Sequence, residues 1–152
     1  MSKITLLQDY DSPILLENHS EGWIYKISDK YVVKVEAPKE FPTYNSDMFY
    51  EIKMARLLYS FGISVPEPIT CDYVKVENEV KKGFIMEFID GKSFHHDMNT
   101  DDRSLANYML EVEKEKCYEK GFTVVNEDIE WILTKDKKIK LIDFTKWKYK
   151  GF

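Results

Sequence analysis

Tyr31-Val-Val-Lys-Val-Glu36 is a short β-branched run with one lysine set in its middle. Such a run reads as a strand. Strand alternation puts Val32 and Lys34 on one face and Val33 and Val35 on the other. An inward lysine is costly unless a carboxylate meets it, so this strand calls for a partner in a second layer. Two strands precede it, Ile14-Leu-Leu-Glu17 and Trp23-Ile-Tyr-Lys-Ile27. The second joins Tyr31 through Ser28-Asp-Lys30, whose Ser and Asp suit a tight turn. The polar Asn18-His-Ser-Glu-Gly22 between the first two reads as a loop ending in a flexible glycine.

Downstream, Pro38 and Pro42 stop the extended structure. Asn45 or Ser46 can cap a helix, with Asp47 in its first turn. Met48, Ile52, Ala55 and Tyr59 then recur as one helical face requires. Glu51 shares a face with Ala55 and Leu58, which turns it toward the core. Gly62 ends the helix, and Pro66 and Pro68 prevent its resumption. Strands are expected at Cys71–Val76 and Gly83–Ile89, with the charged stretch 77–82 between them and a turn at Asp90-Gly91. A second helix is expected from about Asp101-Asp102 to Lys120, with Leu105, Met109 and Val112 on one face and Gly121 as its stop. The last element is a hairpin, Trp131-Ile-Leu-Thr134 and Lys138-Ile-Lys-Leu-Ile-Asp143, turning at Lys135-Asp-Lys137. Mostly antiparallel strands with an inserted helix, then a helix and a hairpin, make an α+β domain.

The chain has 152 residues, 43% of them hydrophobic and 32% charged, with ten Tyr and nine Phe. That is one ordinary domain with enough apolar volume for a core, which excludes wholesale disorder. No apolar stretch approaches the roughly 18 residues of a membrane span. The opening residues lack the pattern of a secretory signal. Cys71 and Cys117 form no CxxC or Cys/His cluster, which argues against a disulfide scaffold or zinc site. The expected setting is reduced and cytoplasmic. A net charge of −5 argues against a general nucleic-acid binder, but the sign is uneven. Residues 131–152 hold seven Lys and two Asp, a surplus of five positive charges, so the remainder carries ten net negative charges. The basic end can meet an acidic protein, phosphate or RNA. Trp147 and Tyr149, alternating with Lys146, Lys148 and Lys150, are read as a tail strand packed on the body, with stacking on RNA as the alternative.

Lys34, Glu51 and Asp143 are acidic or basic residues at inward or strand-end positions, and together they point to one site. In this order they resemble the protein-kinase-like fold, above all the small atypical RIO and Bud32 type kinases. Val32-Val-Lys34-Val is similar to the strand bearing the phosphate-binding lysine, and Glu51 to its ion-pair partner. Phe61-Gly-Ile-Ser-Val-Pro-Glu-Pro-Ile69 resembles the link that follows that helix. Gly83-Phe-Ile-Met-Glu-Phe-Ile-Asp-Gly91 is similar to the last N-lobe strand and hinge, and Leu141-Ile-Asp143-Phe144 to the metal-binding DFG segment. The resemblance covers about residues 14–147. It implies an N-lobe over about 1–89 and a strongly reduced C-lobe over 90–152. It also implies ATP and Mg²⁺ as ligands, with Gly22 in the nucleotide-covering loop, Glu87, Phe88 and Ile89 at the hinge, and Asp143 on the metal.

Several positions depart from the family. Aligned to the catalytic loop H-x-D-x-x-x-x-N, the chain offers Val124 for the His, Asn126 for the catalytic Asp and Trp131 for the metal-binding Asn. An amide cannot take a hydroxyl proton as a carboxylate does, and losing a general base typically costs about 10²–10⁴ in rate. An indole offers no oxygen to a hard cation. In an extended loop Asp128 would point the same way as Asn126 and could replace the missing base. Gly22 is the one glycine of the covering loop, Glu21 would set a negative charge beside the phosphates, and Thr145 replaces the DFG glycine. His95-His96 is read as an exposed pair and His19 as a plain loop residue.

The expected function is therefore a degenerate kinase-like domain that works as a regulatory or binding module for a protein partner, with weak or absent ATP binding. The alternatives are an active minimal Ser/Thr kinase or ATPase, with Asp128 as base, and an unrelated α+β interaction protein.

Overall fold

The computed structural model describes residues 5–6, 14–19, 22–36, 48–76 and 79–151. The fold is α+β, and the described residues form two α-helices and three sheets whose strands pair antiparallel except in one short contact. The chain divides into two compact units, Met1–Lys53 with Glu67–Phe88 and Met54–Pro66 with Ile89–Phe152. Residues 54–66 join the second unit because Ser64 is tied there, its N–H donating to a Glu113 carboxylate oxygen at 3.1 Å and its carbonyl accepting from the Leu141 N–H at 2.8 Å.

In the first unit, strands β1 (Thr5–Leu6), β2 (Ile14–His19), β3 (Gly22–Lys26), β4 (Tyr31–Val35), β5 (Pro68–Val76) and β6 (Glu79–Glu87) form one sheet in the order β1-β5-β6-β4-β3-β2. The β1–β5 pair is parallel. The tight turn between β3 and β4 forms as expected, with Ser28 Oγ accepting from the N–H groups of Lys30 and Tyr31, both at 3.1 Å. Val33 and Val35 pack with Ile27 and Val74 against Trp23, Tyr25 and Ile85. The expected loop at 18–22 is shorter, because Asn18, His19 and Gly22 belong to the strands. The stretch 79–82, expected between strands, is paired along β5 as the start of β6.

Helix α1 runs Met48–Ser60, and the residues proposed as its cap, Asn45 to Asp47, lie outside the described residues. It buries Met48, Glu51, Ile52, Met54, Ala55 and Leu58. Tyr59, placed on that face by spacing, is instead 49% exposed, since the buried arc runs along the 48–51–55–58 row. Phe49 meets Tyr73 edge-on at 5.8 Å, and the Lys82 ammonium sits 4.8 Å from its ring centre. Gly62 closes the helix at φ +78°, with Ile63 N–H bonding to Leu58 O and Gly62 N–H to Tyr59 O. This six-to-one plus five-to-two pattern is the Schellman stop, and buried Ile63 supplies its apolar residue.

In the second unit, helix α2 (Thr100–Glu119) starts at Asn99, whose Oδ1 accepts from the Asp102 N–H at 2.8 Å. Gly121, at φ +96°, ends it as expected. The apolar row of α2 is not its buried row. Ala106, Glu113 and Cys117 are buried, whereas Leu105 and Val112 are each 37% exposed. Apolar spacing missed the buried row because it contains an acidic residue that is paid for by hydrogen bonds from Ser64 and Lys116.

Strand β7 (Gly91–Ser93) joins β9 (Glu130–Thr134) and β10 (Ile139–Ile142) as a three-stranded sheet, β10-β9-β7. Asp90-Gly91, read as a turn, therefore enters a strand. A side chain at Gly91 would drive its Cβ into Leu133 O, so the backbones meet there only because position 91 is glycine. Strand β8 (Phe122–Val124) pairs antiparallel with β11 (Trp147–Tyr149). Trp147, 1% exposed, packs edge-on to Phe144 and Phe122.

Cys117 is 1% exposed, and burial, with the Glu113 carboxylate adding to it, pushes its thiol from 9.0 up to about 12. The folded state thus keeps this proton where the unfolded chain releases it. Its contribution to stability is full below the unfolded value and is lost as pH rises toward about 12. Cys117 is expected to resist alkylation in the native protein at mildly alkaline pH and to react once guanidinium unfolds it. Equal rates in both states would mean that this face of α2 is not packed.

Candidate functional site

In the first unit the inward lysine finds its carboxylate. Lys34 Nζ donates to Glu51 Oε1 at 2.9 Å, and each side chain is 1% exposed. β4 delivers Lys34 because its alternate residues Val33 and Val35 are taken by the opposite core, while register sets Lys34 between Ile24 and Phe84. α1 delivers Glu51 one turn from Ala55, on its buried row. A fully buried ion pair is weak evidence for stability, because desolvating both charges offsets most of their attraction. What the arrangement does chemically is hold one ammonium in a fixed place on the sheet.

Gly22 opens β3 opposite His19. Glu87 and Phe88 have their backbone N–H groups engaged inside the same unit, Glu87 to Glu67 O at 2.9 Å and Phe88 to Lys30 O at 2.7 Å. Glu87 Oε1 also accepts from the Glu67 N–H at 3.0 Å, and the Lys26 ammonium lies 4.6 Å from the Phe88 ring centre. Neither N–H can therefore serve as a donor to a nucleobase without breaking a bond. Ile89 begins the second unit and is half-buried.

In the second unit, the β8–β11 ladder ends at Val124 opposite Trp147, and two loops leave from that end. Residues 125–128 form one, and 143–146 the other. Val125 N–H donates to Lys146 O at 3.1 Å, and Lys146 Nζ reaches Asp128 Oδ2 at 2.8 Å. The loop is not extended, the conformation in which Asp128 would point with Asn126. It is a 3-10 turn, Val125–Glu127, with Asn126 at φ 57° and Glu127 at φ 54°. The expected alignment of Asp128 with Asn126 is lost with it, and the Asp128 carboxylate is held by Lys146. Asp143 is also left-handed, at φ 57°, followed by buried Phe144. Asn and Asp tolerate this conformation better than other side chains, but Glu127 does not. Burial and the neighbouring Glu127 carboxylate hold the Tyr118 phenol above its ordinary value.

Trp131, at the position of a metal-binding Asn, is 4% exposed and carries the Arg103 guanidinium 5.6 Å from its ring centre. Among the described residues no group of three or more His, Cys, Asp or Glu side chains could hold a metal ion. Among the described residues no helix is long and apolar enough to cross a membrane.

His95 and His96 are exposed, as expected, yet they are not idle. Both Nδ1 atoms face Ser93 Oγ, at 3.1 and 2.9 Å, and Arg103 holds their turn by donating to Phe94 O and His96 O. Sequence spacing alone does not single out Ser93 or Arg103. Lys146 was counted only as part of a basic tail, although its spacing to Asp143 places it on the loop facing Asp128. The RNA alternative for the basic end loses its stacking surface, since the Trp147 indole is interior and Tyr149 is half-buried against Phe122 and Phe61. No protein-family model matches the chain and no curated protein matches it in sequence, so its site is read from its own residues.

Proposed function

We propose that the protein is a degenerate kinase-like domain that acts as a regulatory or binding module, with Lys34 and Glu51 as the remnant of a nucleotide site. The observation that carries this reading is the Lys34–Glu51 pair, buried on both sides and held between a strand and the helix that follows it. Charges so placed are retained more readily for chemistry than for stability. Three further observations support degeneracy. Asn126 has no carboxylate, Asp128 is engaged by Lys146, and Trp131 lies in the core. ATP, if it enters, brings its own Mg²⁺, and the hinge N–H groups of Glu87 and Phe88 are already committed.

The active-kinase reading is favoured by one observation. Asn126, Glu127 and Asp143 are three left-handed non-glycine residues on the two neighbouring loops, and such strain gathers at active sites. A thermal melt with millimolar Mg-ATP, together with a phosphate-release assay, separates the two. Ligand at 100 times its dissociation constant adds about 2.7 kcal/mol. The binding-module reading expects a much smaller shift and no turnover. A full shift with turnover abolished by both Asp128→Ala and Asp143→Ala would replace it with the enzyme.

A further inference from the structure

Leu105, Tyr108 and Val112 lie at helical spacing on one stripe of α2, and the fold leaves that stripe outside. Tyr108 is 70% exposed, and Leu105 and Val112 are 37% exposed each. The stripe has an acidic edge. Glu111, Glu115 and Glu119 follow one another every fourth residue beside it, and Asp101 stands one helical turn before Leu105 at its N-terminal end. All four are exposed. Glu115 and Glu119 have no cationic partner among the described residues, and Glu111 meets Lys114 only at 3.8 Å. The nearer lysines are turned elsewhere, Lys116 to Glu113 at 3.0 Å and Lys114 also toward Glu127 at 3.5 Å.

This row disfavours the isolated helix. Like charges four apart repel, and Glu115 and Glu119 approach the negative end of the helix dipole, where a carboxylate is least welcome. An apolar stripe and an uncompensated acidic row along the same edge are both relieved by a single kind of occupant. We propose that this face of α2 docks a basic amphipathic helix of a partner protein, whose apolar residues cover Leu105, Tyr108 and Val112 and whose lysines or arginines meet Glu111, Glu115 and Glu119. A second copy of α2 fits poorly. Packed antiparallel it sets Asp101 against Glu119, and packed parallel it sets the glutamate rows together. Anionic lipid and nucleic acid are repelled by the same row. Three apolar side chains make a small contact, so the complex belongs to the transient class. The proposal rests on the binding-module part of the reading above and not on the nucleotide site.

The test uses the full chain and a labelled synthetic peptide of about 18 residues, long enough to form a helix on the surface. Leucines stand at i, i+3, i+4 and i+7 with lysines beside them, and a second peptide carries glutamate in place of lysine. Fluorescence anisotropy is expected to give saturable binding of the lysine peptide alone. Tyr108→Ala should weaken it about tenfold or more, as removal of a central aromatic anchor does. Glu111→Gln/Glu115→Gln/Glu119→Gln should weaken it and flatten its salt dependence. Both variants change exposed side chains and should melt no lower than the wild type, the triple variant slightly higher as its repulsion is relieved, so a lost signal is not lost folding. Absence of saturable binding overturns the proposal, as does binding that neither variant weakens. A dimer in sedimentation that Tyr108→Ala dissolves overturns it in favour of a second copy. The nucleotide melt and turnover assays decide the binding-module reading separately, so its failure and the failure of this surface are told apart.

Discussion

Lys34→Ala is expected to destabilise the fold by about 3–5 kcal/mol, because it leaves the Glu51 carboxylate buried without its ammonium. In a chain of this size that is a fall in melting temperature of roughly 6–20 °C. The same loss is expected from Glu51→Ala. The informative variant removes both charges at once. Lys34→Met/Glu51→Met keeps the volume between β4 and α1 and drops both desolvation terms, so it should be neutral or more stable by about 1–4 kcal/mol. A recovered melting temperature, together with loss of whatever Mg-ATP shift the wild type has, would assign the pair to ligand handling. If the double variant melts as low as the single ones, the pair serves to fix α1 on the sheet, and the observation carrying the nucleotide-site reading is gone.

Trp147→Ala is expected to cost about 3–5 kcal/mol, the range for emptying a large aromatic site in a core. Its indole is 1% exposed between Phe122 and Phe144, and its strand is the sole partner of β8 in the two-stranded sheet. An aromatic that waited on the surface for RNA could be truncated with almost no change in the melt. Denaturant unfolding therefore separates the two roles of the same residue. A midpoint unchanged from wild type would return Trp147 to the surface and revive the RNA reading of the basic end.

Much of the fold was legible where chemistry and spacing are local. The strands at 14–17, 23–27 and 31–36, the glycine stops at 62 and 121 and the final hairpin all rest on turn chemistry or period-two patterning that tertiary context does not overrule. Lys34 and Glu51 were legible for a related reason, since a charge set inside an apolar pattern must be answered. The failures share a different cause. On α2 the apolar row and the buried row are not the same, because Glu113 is made acceptable by hydrogen bonds from a residue far away in sequence. β7 and β8 were missed because three-residue strands carry no period of their own and exist through the partner they pair with. The conformation of loop 125–128 turns on φ values that no side-chain pattern announces at Glu127.

The interleaving of the two units in the chain bears on any attempt to take the protein apart. A truncation after Phe88 keeps every strand of the six-stranded sheet, and by strand count it looks like a clean half. It would still carry Met54–Pro66, stripped of the Glu113 carboxylate and the Leu141 amide to which Ser64 is bonded. Met54, Ala55, Leu58, Ile63 and Val65, all interior in the whole chain, would be left in a fragment lacking the unit they belong to. An insoluble fragment would then report on where the cut was made and not on whether the sheet can fold. Dissection here has to proceed by point substitution, or by a rearranged chain that keeps residues 54–66 with 89–152.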